Sequence, residues 1–104
     1  MAVVGILGQS APAATTNTTV YTVPSGVAST FNVSICNQGS SSITARLAVA
    51  AAATPATSEY IEYDASIPAN GVLERSGIVA QTGKLVVAYV SAATASVTVY
   101  GYEA

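Results

Sequence analysis

The stretch from Val20 to Val49 limits most tightly what this chain can fold into, because its apolar residues recur at every second position in two separate runs. Phe31, Val33 and Ile35 fall on one side of an extended chain and Asn32, Ser34 and Cys36 on the other, since strand side chains alternate between faces. Ile43, Ala45, Leu47 and Val49 repeat the arrangement against Thr44 and Arg46. Asn37, Gln38, Gly39 and three serines between the runs carry turn chemistry, so the two are expected to form a β-hairpin with one buried face. Pro24 fixes its own φ and extends Val23, and Gly26 permits a positive φ, so Val23 to Gly26 reads as a tight corner.

The remaining segments follow the same style. Ala2 to Leu7 is a short apolar run that reads as a candidate first strand, followed by turn and coil residues as far as Asn17. Residues 1–17 therefore read as an N-terminal arm, docked on a neighbour or folded back on its own sheet, ahead of a single domain over 18–104. Thr18 to Val23 reads as a strand. Ala51 to Ser58 is alanine-rich, but Pro55 and the Thr and Ser residues argue for a loop joining two halves of the domain. Glu59 to Asp64 reads as a strand, Ile67 to Gly71 as a turn with Asn70-Gly71 as its strongest element, and Val72 to Ala80 as a strand with a bulge at Ser76-Gly77. Leu85 to Ser91 and Ser96 to Tyr102 form the expected final pair. About 7–9 short strands with regular turn signals predict an all-β fold, an antiparallel β-sandwich of immunoglobulin-like or jelly-roll type.

Function classes are bounded by what the surface lacks. Of the 104 residues only 8% are charged, against roughly 25% in an ordinary domain. The three basic residues, Arg46, Arg75 and Lys84, are scattered singly, which leaves no patch able to neutralise several phosphates, so no nucleic-acid partner is expected. The longest apolar run, Leu47 to Ala53, is far shorter than the roughly 20 residues of a membrane-spanning helix, so no membrane partner is expected. The apolar fraction of 51% is mostly Ala and Val, with one Phe and no Trp, which makes a thin core and favours self-association as a supplement.

No catalytic or cofactor-binding residues are expected. The chain has no His, and its one cysteine, Cys36, reads as a half-buried strand thiol, so nucleophile and base pairs are missing. Glu59, Glu62 and Asp64 are the only local carboxylate cluster, but strand alternation sends Glu59 away from the other two, and a solvated strand edge is preferred to a metal site. The six tyrosines carry more interest, being amphipathic and common at interfaces. The candidate interface is Val3, Val4, Ile6 and Leu7 in the arm, with Tyr60, Tyr63, Tyr100 and Tyr102 in the strands.

The Tyr21-Thr22-Val23-Pro24 lead-in, the Ile35-Cys36-Asn37 strand end, Tyr60-Ile61 followed by Asp64, the Pro68 turn and the closing Val97-Thr98-Val99 strand before Gly101 together carry a resemblance. Over nearly its whole length the chain resembles small β-sandwich virion proteins of tailed bacteriophages, including those infecting cyanobacteria. The resemblance implies a protein of the particle, found on capsid surfaces as decoration or cement, or in neck, tail or fibre components. The alternative expectation is a tail, neck, baseplate or fibre binding module contacting other virion proteins or host glycans. It brings no catalytic residues. The corresponding expectation is a capsid-surface cement protein, a homo-oligomer with a trimer favoured, bound to the major capsid protein. Where family members carry a charge after the Pro-x-Gly turn this chain has Val27, leaving that corner less polar.

Overall fold

A computed structural model describes residues 3–104, so Met1 and Ala2, the start of the expected arm, lie outside the described residues. Among the described residues the alternation becomes eight strands: β1 (Val4–Ser10), β2 (Thr18–Thr22), β3 (Ser29–Asn37), β4 (Ile43–Ala50), β5 (Tyr60–Ile67), β6 (Val72–Ala80), β7 (Leu85–Val90) and β8 (Ala95–Glu103). They form two four-stranded antiparallel sheets in the orders β1-β8-β3-β6 and β2-β7-β4-β5. First pairs with last, second with seventh, third with sixth and fourth with fifth. A long ribbon doubled back at the β4–β5 connection and wrapped over itself gives that pattern, which is the jelly roll of the two sandwich types expected.

The expected hairpin of β3 and β4 is not formed. β3 is flanked by β6 and β8, while β4 lies in the opposite sheet, so residues 38–42 arch from one sheet to the other. The final pair is likewise split, with β7 in one sheet and β8 in the other. Alternation is blind to this difference, because an arch and a hairpin both turn the apolar sides of two strands toward one core. The one sequence-adjacent pair sharing a sheet is β4 and β5, joined through 51–59, which closes with a single 3₁₀ turn over Thr57–Glu59.

Of the two alternatives for the arm, its described part folds back on the chain's own sheet. Val4–Ser10 is an edge strand hydrogen-bonded to β8, and Ala14 bridges Val90, so residues 4–14 belong to the sandwich. A bulge between Ile6 and Gly8 turns Leu7 onto the core. Gly8 is required there: a Cβ on it would run into the Val20 carbonyl, so its absence lets β1 close down on β2 at this side of the sandwich. The opposite side, between β5 and β6, is closed by an ion pair of Arg75 Nε with Glu62 Oε2. Both residues sit at inward register positions opposite Val33 and Leu47, and inward-pointing charge blunts an edge that would otherwise pair with another chain.

Between the sheets lie Phe31, Val33 and Ile35 of β3, Ile43, Ala45 and Leu47 of β4, Val86, Ala88 and Val90 of β7 and Val97 and Val99 of β8. Two buried polar groups mark the ends of this core. At one end the Tyr21 hydroxyl sits 2.6 Å from both Ser29 Oγ and Glu103 Oε2. At the other, the fully buried Asn37 amide donates to the carbonyls of Ser41, Ile67 and Pro68, and its oxygen accepts from Gly39 N and Thr94 Oγ1, both at 2.9 Å. One side chain thus ties together three loops.

Candidate binding surfaces

The expected interface residues divide between opposite faces of the molecule. Antiparallel partners share a face, so the register Val4–Tyr102–Thr30–Val79 runs as one row across all four strands of the first sheet. Ile6, Tyr100 and Asn32 form the next row. Val4 is 84% exposed and Val79 69%, with Ile6 and Tyr102 also exposed. The result is an uncharged stripe on the outer face of β1-β8-β3-β6, apolar on β1, β8 and β6 and crossed by Thr30 and Asn32 on β3. Val79 was missed in the sequence, where its position in β6 was visible but its alignment with Val4 and Tyr102 was not. Leu7, by contrast, packs on the core, and Val3 is tied to β8 through its carbonyl, which accepts from Glu103 N.

Tyr60 and Tyr63 belong to the other sheet. On β4 the outward positions carry Ala48 and Ala50, which are nonetheless fully buried, because Tyr60 packs on them and the 3₁₀ turn lies against the strand. Alanine leaves the room for this second, small cluster, which also takes in Val87 and Leu85 of β7. Glu59 holds the segment down, accepting from Ala56 N at 2.8 Å and Ala51 N at 3.0 Å. Those two backbone donors pull its carboxyl below its ordinary value. Glu59 therefore sits on the 3₁₀ turn and not on the expected strand.

Beside this cover, β5 carries a bulge opposite Arg46, with Asp64 in the left-handed region at φ 51°. The bulge brings Tyr63 and Asp64 together on one cation. The Arg46 guanidinium lies 4.2 Å from the Tyr63 ring centroid and 4.3 Å from that of Tyr89, and its Nε donates to Asp64 Oδ1 at 2.7 Å. Asp64 raises the guanidinium's affinity for its proton further. Tyr60 meets Tyr63 edge to face, 5.0 Å between centroids. Pro55, Thr57, Tyr60 and Tyr63 line a groove of about 490 Å³.

The three clustered carboxylates thus have separate engagements: Glu59 with loop amides, Glu62 with Arg75 and Asp64 with Arg46. Among the described residues, no three His, Cys, Asp or Glu side chains converge as a metal site would need. Cys36 is half-buried on the outer side of β3, between Ser96 and Val72. No protein-family model, curated protein or solved structure matches the chain.

Proposed function

We propose that the chain is a structural protein of a bacteriophage particle, a decoration or cement protein that seats on the major capsid protein shell and stabilises it by adding buried area. The observation that carries this reading is the uncharged stripe of Val4, Ile6, Val79, Tyr100 and Tyr102 on the outer face of β1-β8-β3-β6. Exposed large apolar side chains gathered on one face in this way mark interaction surfaces. The sequence resemblance to phage virion proteins supports the same reading, and jelly rolls recur among capsid and lectin domains, although a fold alone does not assign a function. The copies on a shell are proposed to associate, with a trimer favoured.

The test is co-sedimentation of the purified protein with shells lacking it. Wild type is expected to sediment with the shells, and Val79→Asp or Val4→Asp to stay in the supernatant with an unchanged circular dichroism spectrum, since both side chains point to solvent. Unimpaired sedimentation of both variants refutes the reading. The second reading, a tail, neck or baseplate module, is favoured by the groove beside Tyr60 and Tyr63 and differs in copy number per particle.

A further inference from the structure

We infer that the groove between the 51–59 segment and the start of β5 is a binding site for a neutral glycan, held by the faces and hydroxyls of Thr57, Tyr60 and Tyr63. This goes beyond attachment to a shell and does not depend on it, since the groove lies on the sheet opposite the uncharged stripe. A molecule seated by its β1-β8-β3-β6 face would present this groove outward.

Three observations select the ligand class. The volume of about 490 Å³ falls inside the roughly 300–1,000 Å³ of small-molecule sites. The lining is amphipathic: two aromatic rings and a proline ring supply apolar faces, while among the described residues the hydroxyls of Thr57, Tyr60 and Tyr63 have no hydrogen-bond partner within the protein. A pyranose has the matching chemistry, with C–H groups on its faces and hydroxyls around its rim. The local charge also cancels. Arg46 is neutralised by Asp64, both oxygens of Glu59 are occupied by backbone amides, and Lys84, near enough to lower the Glu59 carboxyl, is not among the four lining residues, so the groove wall itself carries no charge to hold an anionic ligand.

The site is also preformed. Tyr63 remains 59% exposed but is fixed by Arg46 and by the edge contact with Tyr60, and Glu59 anchors the wall bearing Pro55 and Thr57. Groups already ordered lose less freedom when a ligand arrives.

Saturation-transfer NMR on the free protein tests this, with maltotriose, cellotriose and triacetylchitotriose as neutral probes and sialyllactose as the acidic control. At least one neutral probe is expected to receive transfer and to shift the resonances of Tyr60 and Tyr63. That transfer is expected to disappear in Tyr63→Ala and Thr57→Ala, with the amide spectrum outside the groove retained. Absence of transfer to every neutral probe, transfer only to sialyllactose, or transfer that persists in both variants overturns the proposal. Because no shell is present, any of these results leaves the shell-binding reading standing.

Discussion

Tyr21 of β2 and Glu103 of β8, 82 positions apart in the chain and in opposite sheets, share a hydrogen bond of 2.6 Å at the end of the core. Burial, and then the neighbouring carboxyl group, raise the Tyr21 phenol above its ordinary value of 10.0. A raised value favours the protonated phenol in the folded state. Its stabilisation is therefore complete below pH 10.0 and is lost as pH rises through the raised value. Denaturant melts should show a fall in stability above pH 10.0 that Tyr21→Phe removes. At neutral pH Tyr21→Phe should cost about 1–3 kcal/mol, because Ser29 and Glu103 lose their shared partner in a buried place. A double-mutant cycle with Glu103→Ala should return a coupling of about 0.5–3 kcal/mol. Strict additivity would place the two groups outside one network.

Asn37 closes the opposite end and should be the polar residue least open to change. Asn37→Ala leaves the carbonyls of Ser41, Ile67 and Pro68 without their donor and should cost about 3–4 kcal/mol in chemical denaturation. Asn37→Asp is the sharper test. Its carboxyl would face those three carbonyl oxygens, so protonation is favoured in the fold and the aspartate variant, unlike wild type, should gain stability as pH is lowered through the carboxylate range. A variant equally stable at neutral and acidic pH would contradict this placement.

Glu59 sets the acid sensitivity of the segment above the small outer cluster. Its carboxyl titrates below the ordinary 4.5, so the clamp is complete above pH 4.5 and is lost as pH falls through the lowered folded value. Amide exchange at Ala51 and Ala56 should accelerate on acidification before the core strands respond, and Glu59→Ala should produce the same acceleration at neutral pH. The effect is local, because the carboxyl is solvent-facing and the eight strands do not depend on it.

The strands themselves were legible, and so were the bulge at Ser76-Gly77, with Gly77 at φ 71°, and the Asn70-Gly71 turn, with Asn70 at φ 58°. Each of these depends on residues close together in the chain. Pairing was not legible. Period-two alternation says which side of Phe31 or Leu47 is buried, but not which strand lies alongside, so the arch from β3 to β4 was read as a hairpin. The same gap hid the site around Arg46, which reads as one of three scattered cations until the bulge at Asp64 sets Tyr63 against it and β7 brings Tyr89 to its other side. Asn37 was recognised as a turn former. Its burial depends on Thr94 and Pro68 arriving from 57 and 31 residues away.

Counting the chain in purified particles, by quantitative mass spectrometry against the major capsid protein, tests the central claim most directly. A decoration protein seated on the shell predicts a simple, fixed ratio to the capsid subunits across the whole surface. A ratio of a small fraction of that, or absence of the chain from washed particles, would contradict it.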